Sequence, residues 1–222
     1  MRWLSCQRKL SQCVPDKHSR KPASHCLEEL RYGLTIKFKG WLANVESIIL
    51  PGIGDSDPAH WQSLWWDLGI ANSRIRQDDW DNPVCSDWLA RLEETVRAAG
   101  PDTILIAHSL SCLVVAHWAA LTKLRIRGAL LVAPPDPDGS GFPMQALGFS
   151  GLPNTPLGFK TILVASTNDP YARIEFAQAC ATAWACEFAN IGDAGHINSD
   201  SGLGAWPEGQ ALLKKLIAET AA

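Results

Sequence analysis

The sequence lacks three features that would each indicate a particular class of protein: a long apolar run, an excess of basic residues and closely spaced cysteine pairs. No apolar run approaches the roughly 20 residues of a membrane-spanning helix, so we expect no membrane-embedded segment. The formal net charge of −3 disfavours a nucleic-acid-binding protein, which normally carries a basic surface. With 222 residues, 46% of them hydrophobic, the chain is long and apolar enough for a soluble globular protein with a sizeable core.

The seven cysteines do not have the pattern of a disulfide framework or of a zinc site. None forms a C-x-x-C pair, and no group of histidines and cysteines has the spacing of zinc ligands. We therefore predict a protein of the reducing cytoplasm. One of them, Cys112, lies in a predicted helix and is expected to be a small core residue. The cysteines are Cys6, Cys13, Cys26, Cys85, Cys112, Cys180 and Cys186.

Charge is distributed unevenly along the chain. Residues 1–40 contain nine Lys/Arg and three Asp/Glu, a net charge of +6, which leaves −9 for residues 41–222. The basic segment has no hydrophobic period and lacks the apolar core of a secretory signal. We predict that residues 1–40 are a poorly ordered extension, or derive from an upstream start codon in the gene model, and that 41–222 form one domain. A targeting role is the alternative, because the segment is basic and contains serine.

From Ser47 onward, short apolar runs alternate with longer amphipathic segments. This alternation predicts an α/β domain with a mainly parallel central sheet and helices on both faces. Residues 134–160 are rich in proline and glycine and show no period, which is typical of a long loop that carries binding residues. The first helix is expected to begin with Asp57 as its N-cap and Pro58 at its first position. The predicted strands are 47–50, 74–77, 103–107, 128–133, 161–165 and 185–189, and later helices begin near 83, 110, 171 and 207.

A serine lies at the tip of one predicted strand-to-helix unit. Thr103–Ala107 is typical of a buried strand, Leu110–Leu121 predicts a helix, and Ser109 lies in the turn between them. The arrangement resembles the nucleophile elbow of α/β-hydrolases, whose tight turn requires small neighbours such as Ala107 and Ser111. An elbow would expose the serine hydroxyl and direct the helix N-terminal amides at a developing oxyanion. The alternative is the ordinary turn of any βαβ unit.

A nucleophilic serine needs a base and a group that orients the base. In α/β-hydrolases the acid and then the histidine follow the serine along the chain. Asp169 follows the predicted strand 161–165, and His196 follows the last predicted strand. Because the carboxyl ends of parallel strands share one edge of the sheet, we expect both residues to meet Ser109 there. Alternatively, Asp169 caps a helix beginning near Pro170, and His196 bonds backbone groups in its loop.

Five segments carry a resemblance to a known family. They are P-G-I-G-D-S-D-P-A-H-W-Q-S-L-W, Q-D-D-W-D-N-P, A-H-S-L-S-C, S-T-N-D-P-Y and G-D-A-G-H-I-N-S-D-S-G-L-G-A-W-P-E-G. They are similar to the small serine hydrolases related to retinoblastoma-binding protein nine, over about residues 47–218. The resemblance implies a compact α/β-hydrolase without a large lid domain, with Ser109, Asp169 and His196 as catalytic triad and with no metal or other cofactor. Many relatives have glycine where this chain has Ser111.

The implied reaction is cleavage of a small acyl ester or related amide through an acyl-enzyme intermediate. Its oxyanion is expected to meet the backbone N–H groups of Leu110, which follows the serine, and of Ile53, in the glycine-rich loop after the first strand. Loops at the same edge carry four candidates for substrate binding, each of which has a packing or capping role as the alternative. These four are Trp80, His60, Trp61 and Trp206. His108 and His117 are predicted to be structural.

Two other functions remain open at this point. The first is a catalytically silent protein-binding module on the same fold. Binding of a retinoblastoma pocket would need an L-x-C-x-E segment, but Leu110-Ser111-Cys112 is followed by Leu113 and Val114. The second is a lyase or dehalogenase with an acidic nucleophile, which a serine at the elbow argues against. The sequence indicates neither the physiological substrate nor the oligomeric state.

A chain shortened to begin near Trp41 should fold and keep its esterase activity. Residues 1–40 lie outside the family resemblance and contain no residue with a predicted catalytic role, so their removal should cost little burial. The measurement compares the thermal midpoint and the turnover of a short p-nitrophenyl ester in the two chains. Thr35–Phe38 alternates as an edge strand does. Aggregation or a much lower midpoint of the short chain would therefore mean that the basic segment belongs to the domain.

Overall fold

A computed structural model describes residues 45–221. The basic segment and its predicted boundary at residue 41 lie outside these residues, so both stay predictions. The strands are β1 (Glu46–Leu50), β2 (Ser73–Arg74), β3 (Thr103–His108), β4 (Gly128–Val132), β5 (Lys160–Ala165) and β6 (Glu187–Asn190). The helices are α1 (Trp61–Asp67), α2 (Cys85–Ala99), α3 (Leu110–Leu121), α4 (Ile174–Ala183) and α5 (Pro207–Glu219), and a 3₁₀ turn spans Ser199–Ser201.

The strands form one open, all-parallel sheet in the order β2-β1-β3-β4-β5-β6. The chain runs from β1 outward to β2, returns to place β3 on the other side of β1, and then proceeds to the opposite edge. The direction of winding therefore reverses between β1 and β3. In open parallel sheets a crevice forms at such a point, above the carboxyl ends of the strands. The loops that follow β1 and β3 flank this crevice.

Alternate residues of the central strands face two separate hydrophobic clusters, as the two-residue period of a strand requires. Leu105 and Leu131 belong to the cluster that contains the buried residues of α2, α3 and α4. Ile106 and Leu130 belong to the other cluster, with the buried residues of α1 and α5. Because helices cover both faces, consecutive residues in the middle of these strands are apolar, and the predicted doubly covered α/β fold is confirmed.

The first helix begins later than the sequence predicts. α1 starts at Trp61, and its N-cap is His60, whose Nδ1 accepts a hydrogen bond from the Gln62 amide at 3.1 Å. Asp57 instead closes the preceding turn, where its Oδ1 accepts a hydrogen bond from the Ala59 amide at 2.7 Å. The prediction of a helix start at Asp57 was therefore wrong, because the carboxylate stabilises a turn and an imidazole nitrogen caps the helix.

Other boundaries differ by smaller amounts. The edge strand β2 is only Ser73–Arg74 instead of 74–77, and α4 begins at Ile174, three residues after the predicted start at 171. The long loop between β4 and β5 is anchored on α2, since Leu147 exchanges backbone hydrogen bonds with Pro83 and Cys85 at 2.9 Å each. Within residues 45–221, no helix combines the length and hydrophobicity needed to cross a membrane.

Candidate active site

Ser109 occupies a strained turn between β3 and α3, with φ 55° and ψ −126°. A positive φ is uncommon for a residue with a side chain and is costly unless the surroundings enforce it. Here the Ser109 amide donates to the carbonyl of Val132 on β4, and the Ser109 carbonyl accepts from the Cys112 amide, both at 2.9 Å. The turn thus continues the sheet on one side and starts the helix on the other, which is the elbow geometry that the sequence predicts.

The loop after β1 passes so close to Ser109 that residue 52 has no room for a side chain. A Cβ on Gly52 would lie 2.8 Å from Ser109 Cβ and 3.3 Å from Ser109 Oγ. Ser111 fastens the same loop to the elbow, because its hydroxyl donates a hydrogen bond to the carbonyl of Pro51. Glycine at residue 111 would lack this bond. Ile53, the residue after Gly52, is thereby held beside the serine.

Gly52→Ala should reduce ester turnover by about 10²-fold or more. Its methyl group would approach Ser109 more closely than carbon atoms pack, so the loop or the serine must move. A displacement of about 1 Å near the reacting atoms has this order of effect on the rate. The measurement is kcat for a short p-nitrophenyl ester.

The control is Gly158→Ala, where the glycine has a positive φ of 83° and an added Cβ would meet nothing within 4 Å. This substitution should cost some stability through backbone strain and leave kcat unchanged. A Gly52→Ala protein with normal kcat would contradict the close approach of this loop to Ser109.

Three side chains form a hydrogen-bonded row at the carboxyl edge of the sheet. His196 Nε2 lies 2.8 Å from Ser109 Oγ, and His196 Nδ1 lies 2.9 Å from each carboxylate oxygen of Asp169. Only 8% of the His196 side chain and 4% of the Asp169 side chain are exposed. A carboxylate can only accept, so Nδ1 carries a proton, and in the neutral ring Nε2 is left to accept the serine proton. The structure therefore brings together the three residues that the sequence singled out.

The loops that carry the acid and the histidine are tied to each other by two polar residues that sequence reasoning missed. Asn168 Oδ1 accepts a hydrogen bond from the Gly195 amide at 2.7 Å, and Ser166 Oγ accepts one from the Ala194 amide at 2.9 Å. These bonds join the residues just before Asp169 to those just before His196. The available signal was their position, since small polar residues that directly follow a buried strand lie at the same sheet edge.

A cavity of about 220 Å³ opens beside Ser109. Leu110 and Ile53, the predicted oxyanion donors, both line it, and the amide of Leu110 has no acceptor within α3 because Leu110 is the first residue of that helix. Apolar side chains and Tyr171 form part of the wall, and three carboxylates lie near its mouth. Among the described residues that line the cavity there is no lysine or arginine. Beside Ile53 and Leu110, the apolar residues are Pro135 and Pro143, and the acidic residues are Asp55, Asp57 and Asp200.

Of the four predicted substrate-binding residues, His60 lines this cavity. Trp61 and Trp206 are each only 1% exposed and pack against each other in the core, with ring centroids 5.1 Å apart. Trp80 packs against Trp88 and lines a separate pocket beside the β2 region. The packing alternative therefore describes the position of Trp61 and Trp206, because a buried aromatic near a sheet edge fills the core as readily as it walls a pocket. Trp80 is half-buried, so its part in substrate binding stays a prediction.

Two further histidines form a cluster with His196. The rings of His60 and His108 are 4.7 Å apart, and those of His108 and His196 are 5.0 Å apart. Burial lowers the pKa of His60 to about 4. Burial, together with the neighbouring rings of His60 and His196, holds the pKa of His108 well below its ordinary value. Both rings are therefore neutral in neutral solution and add no positive charge beside the row.

No metal site lies among the described residues, since none of their His, Cys, Asp and Glu side chains form a group of three or more that could hold an ion. Burial also raises the pKa of the Cys112 thiol far above its ordinary value, so this thiol stays protonated in neutral solution. Cys112 itself is fully buried behind the elbow, as a core residue is.

The open parallel sheet, with a serine turn at its carboxyl edge, defines the class of protein, which is an α/β-hydrolase. Residues 45–221 contain no large lid domain. The chain belongs to the Serine hydrolase family, whose model matches residues 47–215.

Solved structures agree with this assignment. A YdeN-like hydrolase from Pectobacterium atrosepticum is 30% identical, with 86% of this chain and 97% of that chain covered and a TM-score of 0.71. The ydeN gene product of B. subtilis is 20% identical, with 79% of this chain and 100% of that chain covered and a TM-score of 0.67. A thermophilic esterase from Thermogutta terrifontis shares the fold. It is 16% identical, with 80% of this chain and 84% of that chain covered and a TM-score of 0.55. No match was found among curated protein sequences.

Proposed function

We propose that this hydrolase cleaves a small acyl ester or a related amide through an acyl-enzyme intermediate. Ser109 is the nucleophile, His196 the general base and Asp169 the residue that orients the base. The observation that carries the proposal is the buried hydrogen-bonded row, in which 2.8 Å separates His196 Nε2 from Ser109 Oγ and 2.9 Å separates Nδ1 from the carboxylate. A serine hydroxyl is too weakly acidic to attack a carbonyl unless a base is aligned in this way.

The chemistry follows from these contacts. His196 Nε2 takes the Ser109 proton while Oγ bonds to the acyl carbon, and the carbonyl oxygen becomes an oxyanion that meets the Leu110 and Ile53 amides. The imidazolium then gives its proton to the leaving alcohol or amine as the bond to the acyl carbon breaks. Water then attacks the acyl-enzyme while the same nitrogen takes its proton. The imidazolium passes this proton to Ser109 Oγ as the acyl–Oγ bond breaks, which releases the acid and restores free Ser109. Asp169 stabilises the imidazolium in both halves without taking its proton.

The size of the cavity supports a small substrate. A volume of about 220 Å³ lies below the roughly 300–1,000 Å³ of pockets that hold drug-sized ligands. The apolar wall formed by Pro135 and Pro143 suits a short acyl chain. Ester and amide substrates share the same first step, so the substrate class extends to both.

Two measurements on separate samples test the proposal directly: labelling by a fluorophosphonate and hydrolysis of p-nitrophenyl acetate. Only a serine activated by a base reacts readily with the phosphorus reagent. We expect stoichiometric labelling at Ser109, located by mass spectrometry of the labelled peptide. An unlabelled, inactive but folded protein would instead favour the silent binding module.

Activity should rise with pH through the loss of a single proton, because His196 must be neutral to act as base. The lowered pKa values of His60, about 4, and of His108 mean that these rings bind a proton only in more acidic solution. A logarithmic plot of kcat/KM against pH should therefore have a slope near one on its acid side down to about pH 5. A slope of two, or a flat profile in a step limited by chemistry, would contradict this assignment of charges.

We also propose three broader properties that the sequence indicates: a family relation, a location and an absence of nucleic-acid partners. The relation to the retinoblastoma-binding protein nine group rests on the five motif segments. A cytoplasmic location rests on the scattered cysteines. The absence of nucleic-acid partners rests on the net charge of −3.

A further inference from the structure

His108 is the last residue of β3 and directly precedes Ser109. Its side chain is buried, and its Nε2 lies 3.0 Å from the main-chain carbonyl oxygen of His196. A carbonyl only accepts hydrogen bonds, so Nε2 must carry the proton, and the neutral ring leaves Nδ1 without one. The bond thus joins the residue before the nucleophile to the backbone of the base.

The backbone around His196 needs such support. Both neighbours of this histidine have positive φ values, 56° for Gly195 and 51° for Ile197. For the β-branched Ile197 this conformation is strained and persists only when the surroundings enforce it. Two buried ring N–H groups hold this conformation. Trp61 Nε1 donates to the Ile197 carbonyl at 2.9 Å, and His108 Nε2 donates to the His196 carbonyl.

We propose that His108 is a positioning residue, whose ring N–H holds the main chain of His196 so that the imidazole of His196 faces Ser109 Oγ. This inference rests on the proposed hydrolase function. Ser109 and His108 are consecutive, so one backbone turn sets the position of the nucleophile and, through the bond to the carbonyl, the position of the base. The elbow therefore determines the alignment of both reacting groups, which are 2.8 Å apart.

The test compares His108→Gln with His108→Met. The two side chains are alike in length, but only glutamine has an N–H group that can donate to the His196 carbonyl. Misalignment of a catalytic group by about 1 Å lowers the rate by roughly 10²-fold. We therefore expect the methionine protein to lose about 10- to 100-fold in kcat and the glutamine protein to stay within about fivefold of the original chain. A role in packing alone would favour methionine, because its side chain is apolar.

His117→Met is the matched control. His117 Nε2 also contacts a main-chain carbonyl, that of Phe149 at 3.3 Å, but from a position two turns along α3. The control therefore removes a histidine-to-carbonyl hydrogen bond that lies away from Ser109 and His196, so kcat should not change.

The tautomer of His108 in the unaltered protein gives a second measurement that does not depend on whether a variant folds. Nitrogen-15 NMR of the histidine rings should find a neutral His108 with its proton on Nε2. A proton on Nδ1 would exclude the bond to the His196 carbonyl and overturn the proposal.

The kinetic outcomes separate the two proposals. An unaltered chain that hydrolyses esters, with glutamine and methionine proteins equally impaired or equally active, would overturn the role of His108 alone. An unaltered chain that is folded but neither labelled nor active would overturn the hydrolase function and this inference with it.

Discussion

Replacing Ser109 by alanine should abolish fluorophosphonate labelling and lower the hydrolysis of a short p-nitrophenyl ester by roughly 10⁴- to 10⁶-fold. The substitution removes the oxygen that would bond to the acyl carbon, and no other hydroxyl lies in the row with His196 and Asp169 among the described side chains. The backbone bonds that fix the elbow, to Val132 and from Cys112, do not involve the serine hydroxyl. The fold should therefore survive, which circular dichroism and the thermal midpoint measure.

Ser111→Ala is the informative comparison for this result. Ser111 is the nearest serine along the chain, but its hydroxyl donates to the Pro51 carbonyl and has no contact with a base. The Ser111→Ala protein should still be labelled at Ser109. Full activity or labelling of Ser109→Ala would instead mean that another residue is the nucleophile.

Asp169→Asn should lower kcat by about 10⁴-fold, the loss known for the equivalent change in another serine hydrolase. The carboxylate accepts from His196 Nδ1 at 2.9 Å, whereas an amide placed there can donate its own N–H to that nitrogen. Donation would favour the opposite tautomer, with the proton on Nε2, and this nitrogen could then not accept the serine proton. The loss should appear in kcat for p-nitrophenyl acetate, with a thermal midpoint close to that of the unaltered chain.

Asp193→Asn serves as its control. Asp193 lies in the same loop as His196 but is exposed, and its carboxylate accepts from the Thr167 hydroxyl instead of the imidazole. We expect nearly normal kcat for this protein. Equal losses in the two variants would indicate that the loop as a whole, and not the tautomer of His196, responds to removal of a charge.

The row of Ser109, His196 and Asp169 was predictable from the sequence because each member lies in the segment that follows a predicted strand. The apolar runs before Ser109 and Asp169 are short, continuous and bounded by turn residues, so the strand ends could be located to within a residue or two. Parallel strands then place these positions at one edge, whatever the exact strand order. The relation among the three residues thus follows from local patterns and from one rule about parallel sheets.

Contacts between distant parts of the chain were not predictable in this way. Nothing near Gly52 indicates that Ser109 will lie within 3 Å of its missing Cβ, and nothing near His108 indicates a bond to His196, which is 88 residues away. The tryptophans of α1 and of the segment before α5 illustrate the same limit. Tryptophan is as typical of a pocket wall as of a core, so the residue type of Trp61 and Trp206 does not distinguish the two roles. Only the packing of α1 against the segment before α5 shows that both are core residues.

The acidic mouth of the cavity bears on how the reaction ends. Hydrolysis of a neutral ester releases a carboxylic acid, which ionises above about pH 4 and becomes an anion inside the cavity. The Arg74 guanidinium pairs with Asp55, but Asp57 and Asp200 are exposed, and a hydrogen bond from Ser199 lowers the pKa of Asp57 so that it stays charged. An uncharged ester would enter past these carboxylates without repulsion, whereas the anion formed from it would be repelled outward. The same charges that leave substrate entry unaffected would thus promote product release and oppose rebinding of the acid.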